Sequence, residues 1–147
     1  MTLHLILRFL HLLAAAVWIG SALYWPGALR RALGAAPGQA IDLALAQART
    51  GVSLDLAFGL ATVATGLLYL ALGEVPLRHG LEAGLLLAVV RIVLLLVLAR
   101  PALRGVADGL ASGDLEQARA ASRKLPAYAG AAHLVWLVAL VCMVWPI

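Results

Sequence analysis

A chain of 147 residues that is 64% hydrophobic and 12% charged, with a mean hydropathy of +1.00, lies far from the usage of soluble globular domains. Its single cysteine, Cys142, excludes an intrachain disulfide, and no CxxC spacing offers a zinc or iron–sulfur site. The formal charge of +4 would suggest nucleic acid in a soluble protein, but the basic residues gather at the ends of apolar stretches, so orientation in a membrane replaces a nucleic-acid partner as their explanation.

Apolar windows of roughly 20 residues cross a hydrocarbon core of about 30 Å. Four are predicted, at 4–27, 53–72, 81–103 and 126–146. The expected fold is all-α: one four-transmembrane-helix domain over residues 1–147, an integral membrane bundle of up-down-up-down topology in contact with lipid. No basic residue precedes the apolar part of the first window, and the run exceeds the ~7 to 15 residues of a signal sequence; a retained helix is expected. It should close at Pro26-Gly27 and the Arg30-Arg31 pair, and Pro37 suits a first helical turn.

Residues 38–50 are expected at the interface or as an inward extension of the second helix. A short turn through Gly73-Glu74-Val75-Pro76 makes the second and third helices antiparallel neighbours. Gly80 and Gly84, four apart, suit close packing or dimerisation, and a homodimer or a larger membrane complex stays open. The longest polar segment, 104–124, carries Ser112-Gly113-Asp114 ahead of Leu115, which reads as a cap and short amphipathic helix in a solvated turn. Arg30, Arg31 and Arg49 on one connection, and Arg100, Arg104, Arg119, Arg123 and Lys124 on another, predict that both face the cytoplasm, with both termini outside a bacterial-type cytoplasmic membrane.

Residues seven apart share a helix face. In the first helix this aligns His4, Arg8, His11, Ala15, Trp18, Ala22 and Trp25; in the second, Asp55, Gly59, Thr62, Gly66 and Tyr69. The third aligns Gly84, Arg91 and Leu98, and the fourth presents His133 beside Trp136. Lipid rejects such stripes, so they are expected to converge on a central site. Ionisable groups at membrane depth are candidates for function, which singles out His11, His133 and Arg91.

At ~1.5 Å per residue, His11 lies roughly 10 Å, Arg91 roughly 15 Å and His133 roughly 20 Å below the outer boundary. Two histidines at such depths suggest a bound metal or cofactor, with His11 as a ligand and His133 as a second only if tilt overcomes the offset. Arg8 suits an anion or a snorkelling position. Arg91 needs a partner within the bundle: a propionate, a substrate carboxylate or Asp55. Trp18 and Trp136 suit either the flanks of a flat cofactor or the core; Trp25 and Trp145 suit an interfacial belt. His4 and His79 are expected to be solvated near the outer surface. No nucleophile–base pairing for hydrolysis is visible.

The run His11-Leu12-Leu13-Ala14-Ala15-Ala16-Val17-Trp18-Ile19-Gly20, continuing through Tyr24 to Pro26, resembles the first helix of the HemJ-type protoporphyrinogen oxidases and the related CopD-like membrane domains. Arg49, Thr65-Gly66 and the terminal Val144-Trp145-Pro146-Ile147 extend the likeness loosely over the chain. The resemblance implies haem b held by His11, and oxidation of a porphyrinogen. Two positions depart from it: Arg91 stands where the family has a lysine, and Trp145 replaces a closing lysine. Arginine keeps the charge but cannot serve as a proton-transfer base, which leaves open whether this chain is an enzyme. The CopD-like side implies copper handling. Copper(I) prefers thiolate and thioether ligands, of which the chain has only Cys142, Met1 and Met143.

These readings converge on a membrane protein holding haem b on His11, with His133 as a second iron ligand and Arg91, Arg8 and Trp18 around the cofactor. Its expected task is electron transfer with a quinone or a porphyrin. A copper-handling protein and a cofactor-free accessory subunit or assembly factor remain as alternatives.

Overall fold

The computed structural model describes residues 2–35, 38–73 and 78–144. Pro37, the turn residues Glu74 to Pro76, Trp145 and Pro146 lie outside the described residues. Six helices are present: α1 (Thr2–Gly34), α2 (Gln39–Ala71), α3 (His79–Leu94), α4 (Arg100–Ala111), α5 (Leu115–Ser122) and α6 (Leu125–Val144). A π-helical turn over Leu95–Ala99 joins α3 to α4 without a break, and α5 leads almost directly into α6. They amount to four helical rods long and apolar enough to cross a membrane, spanning Leu3–Gly34, Gln39–Ala71, His79–Ala111 and Leu115–Val144. The fold is an all-α four-helix bundle, with α1 packed chiefly on α2 and α3 on α6.

The rods are longer than hydropathy alone predicts. Pro26 does not end α1, which continues to Gly34. A proline inside a helix removes one hydrogen bond and crowds the preceding turn, but Trp25, Leu29 and Leu33 are all buried in the core on its far side, and that burial outweighs the local loss. Residues 39–50 extend α2, with Ile41, Ala44, Leu45 and Ala48 buried against the same core. Segment 104–124 is helical and packed rather than a solvated turn: Val106 and Ala118 are inaccessible and Ser122 is buried. Together these extensions form a foot beyond the apolar windows.

Local chemistry explains how the foot closes. The Asp114 carboxylate accepts from the Gln117 N–H at 2.9 Å, capping α5, and Gly113 takes a φ of +75° that side chains disfavour. Arg119 Nε donates to the Leu33 carbonyl at 2.8 Å, satisfying an otherwise orphan group in the last turn of α1. At Gly109 an added Cβ would lie 2.6 Å from the Ala118 nitrogen. Backbone meets backbone there and neither side yields easily. Gly109→Ala is therefore expected to cost about 1–3 kcal/mol, seen as a lower Tm in detergent. Gly130→Ala, at a position with no atom within 4 Å, serves as the neutral control.

The third rod departs from the expected stripe at the π-helical turn. Gly84 and Arg91 are buried as the heptad predicts, but Leu95 and Ala99 take the inner face in place of Leu98, which is exposed. Pro101 lies just beyond, and its ring crowds the carbonyl four residues back. Widening the preceding turn relieves that contact and rotates everything downstream by about 100°, one residue's worth of helix. Gly84 is buried against Met143 of α6, where an added Cβ would fall 2.5 Å from its Cγ. Gly84 thus serves packing within the chain.

Candidate functional site

Three large rings on α1 sit on three glycines of α2. His11 lies against Gly66, Trp18 against Gly59 and Trp25 against Gly51. Ring spacings of seven match glycine spacings of seven and eight on an antiparallel neighbour, so the two helices approach closely and each ring is held flat. Trp25 is accordingly buried beside Tyr128, with ring centroids 6.3 Å apart, and does not join an interfacial belt. Trp18 is buried in the core and stacks under Arg91, whose guanidinium carbon is 4.3 Å from the ring centroid.

Toward the end that carries the α2–α3 connection, the stripes of α1 and α2 part from α3 and α6 to leave a cavity of about 440 Å³. That size suits a small ligand or cofactor. Its walls are mostly apolar, with Leu12, Leu70, Leu81 and Leu85 among them, and its polar groups are His4, Arg8, His11, Thr62, Tyr69 and Arg78. His4 is half-buried and hydrogen-bonded to the Tyr69 hydroxyl, so it belongs to the cavity wall rather than to bulk solvent. His79, in contrast, is exposed and pairs with Glu82 at 3.3 Å.

The tautomer of His11 follows from its neighbour. Thr65 donates its hydroxyl proton to the Ala61 carbonyl at 2.7 Å, so its oxygen is left to accept, and it lies 2.9 Å from His11 Nδ1. A neutral His11 therefore carries its proton on Nδ1 and keeps a lone pair on Nε2. Metal-binding imidazoles are held in the same way, one nitrogen anchored and the other free. His133 is fixed likewise: Nδ1 faces the Ala129 carbonyl at 2.5 Å, which can only accept, and Nε2 is buried with no hydrogen-bond partner among the described residues. His133 lines neither of the cavities that His11 lines.

Between the cavity and the core lies a buried charge pair. Arg91 Nη2 stands 3.1 Å from Asp55 Oδ1, with both side chains 1% exposed. The same nitrogen donates to the Trp18 carbonyl at 3.0 Å, and Tyr128 donates to the other Asp55 oxygen at 2.5 Å. Of the three partners expected for Arg91, the bundle supplies Asp55. Arg91 Nε and Nη1 have no hydrogen-bond partner among the described residues. A smaller cavity of about 90 Å³, lined by His11, Thr62, Trp136 and Arg91, separates this network from the large one. The rest of its lining is apolar, with Leu12, Ala15, Leu87, Ala88, Leu140 and Met143 among it.

The arrangement brings His11, Arg8 and Arg91 to the walls of two adjacent cavities, with Trp18 beneath the inner one; His133 lines neither and lies instead close enough to Asp55 to act on its charge. Thr65, Tyr69, His4 and Tyr128 complete the site without having been singled out as site residues. His4 and Tyr69 stood on the stripes expected to converge, and because buried hydroxyls need partners, Tyr128 in an apolar helix was the signal for the remaining partner of Asp55. Among the described residues no group of three His, Cys, Asp or Glu side chains could hold a metal ion alone.

Fold and site together define a multi-pass helical membrane protein with a histidine-bearing cavity and a buried ion pair. Compared with protein-family models, with curated proteins and with solved structures, the chain matches none.

Proposed function

We propose that the protein binds haem b in the 440 Å³ cavity, with His11 as axial ligand, and serves electron transfer or porphyrin or quinone redox chemistry in a bacterial-type cytoplasmic membrane with both termini outside. The observation that carries this reading is the His11 imidazole, anchored at Nδ1 by Thr65 and lining a mostly apolar cavity, which leaves Nε2 as its coordinating atom. The donor set suits the group: one imidazole for iron, apolar walls for a flat macrocycle, and Arg8 and Arg78 for its carboxylates. When bound, the haem would supply one-electron chemistry. The chain's own part is to fix the imidazole, exclude water through Leu12, Leu81 and Leu85, and hold compensating positive charge.

Thr65 and Gly66, on which the HemJ-type resemblance partly rests, are the residues His11 packs against, and this supports the reading. His133 has no access to the same cavity, so a second ligand from α6 is not part of the proposal. Copper is the second reading, favoured by one observation: the Met143 thioether lines the cavity together with His4 and His11.

An optical spectrum with iron and copper quantitation tests both. Purified protein is expected to show a Soret band that His11→Ala abolishes and His133→Ala leaves in place. Thr65→Val, which removes the Nδ1 anchor, is expected to weaken haem binding about 10- to 100-fold. Copper without a Soret band would select the second reading. Colourless protein that ignores added hemin and copper would eliminate both in favour of a cofactor-free accessory subunit.

A further inference from the structure

A second polar groove lies at the other end of the bundle. Arg49 and Ser53 on α2 face Arg100 and Arg104 on α4 across a cavity of about 210 Å³, with Val52 and Leu103 on its walls. Three guanidinium groups share this space. None pairs with a carboxylate among the described residues, where the ion pairs present are His79–Glu82, Arg91–Asp55 and Arg119–Glu116. All three arginines are exposed, so water screens their mutual repulsion, but like charges grouped without a counterion still favour an anion between them.

Depth and chemistry identify the anion. About 30 Å of helix axis separates Arg100 from His79, and a similar length separates Arg49 from Ala71, at ~1.5 Å per residue. The three arginines therefore sit one hydrocarbon thickness from the α2–α3 end, at the level of lipid headgroups. Arginine forks match phosphate oxygens in pairs, Ser53 adds a hydroxyl donor, and the apolar walls suit the first carbons of an acyl chain. The π-helical turn contributes as well. Without its rotation of about 100°, Arg100 and Arg104 would leave the face that meets α2.

We propose that this groove is a binding site for the phosphate headgroup of an anionic phospholipid. Basic pockets between membrane helices recognise such headgroups, at about 1 kcal/mol per basic residue near the surface. That corresponds to about a fivefold loss of affinity for each arginine removed.

The test is native mass spectrometry of the full chain in detergent, titrated with phosphatidylglycerol and separately with phosphatidylcholine. Wild type is expected to retain phosphatidylglycerol selectively. Arg49→Gln, Arg100→Gln and Arg104→Gln should each weaken retention about fivefold, and the triple variant on the order of a hundredfold, while circular dichroism shows unchanged helix content. Arg30→Gln with Arg31→Gln, which lowers charge outside the groove, should leave retention unchanged. Equal binding of both lipids, undiminished binding by the triple variant, or equal loss in the control would overturn the proposal. Inorganic phosphate is the remaining arm: if it displaces phosphatidylglycerol and itself raises the Tm of wild type but not of the triple variant, the source is a soluble phosphate ester and the lipid assignment fails.

Discussion

Arg91→Met is expected to destabilise the bundle by about 3–5 kcal/mol, because it leaves the Asp55 carboxylate, 1% exposed, to Tyr128, Trp18 and His133 in place of its guanidinium partner. Asp55→Leu should cost a similar amount by stranding the guanidinium. The two together should cost much less than their sum. A buried ion pair loses much of its Coulomb attraction to desolvation, so replacing both partners by apolar groups of similar size is often close to neutral. Tyr128→Phe removes one donor and is expected to cost about 1–3 kcal/mol. Denaturant unfolding in detergent, carried out on the two single variants and the double, measures the coupling directly. Additive losses would show that the pair contributes nothing as a pair.

Gly59→Val should open the α1–α2 interface. A Cβ at this position would already lie 2.8 Å from Trp18 Cε2, and the indole cannot retreat because Arg91 lies over its face. Overpacking of this kind typically costs about 1–3 kcal/mol, with Trp18 forced from its place under the guanidinium. Trp18→Leu supplies the room, so the double variant Gly59→Val with Trp18→Leu should be more stable than the sum of the two single losses predicts. Coupling on the order of 0.5–3 kcal/mol is expected for residues in contact. Strict additivity would mean that the ring and the glycine do not meet.

The sevenfold spacing of polar and aromatic residues in α1, and of small and polar residues in α2, was enough to say which faces turn inward. His11, Trp18, Asp55 and Arg91 all lie on the faces so predicted. Spacing along one helix says nothing, however, about its register against another. That Gly51, Gly59 and Gly66 would receive the three rings depends on an axial offset between α1 and α2 that only packing decides. His133 lies on the face of α6 that carries Trp136 and Leu140 to the smaller cavity, but about one turn beyond Trp136, outside both cavities that His11 lines.

Other features were hidden for different reasons. Hydropathy windows register lipid-facing residues, so they stop where charges begin and miss helix that continues into the foot. There Leu29, Leu33 and Val106 pack on one another beside exposed arginines. The π-helical turn follows from crowding at Pro101, which a fixed 3.6-residue period cannot represent. Arg91 was recognisable as a buried charge in need of an anion, and Asp55 as one candidate among three. Choosing between them required the geometry.

The ring-and-glycine seam makes α1 behave as a keyed shaft. Because His11, Trp18 and Trp25 drop into successive notches of α2, no one of them can slide without unseating the other two. The imidazole on the outer chamber and the indole beneath the guanidinium therefore travel together.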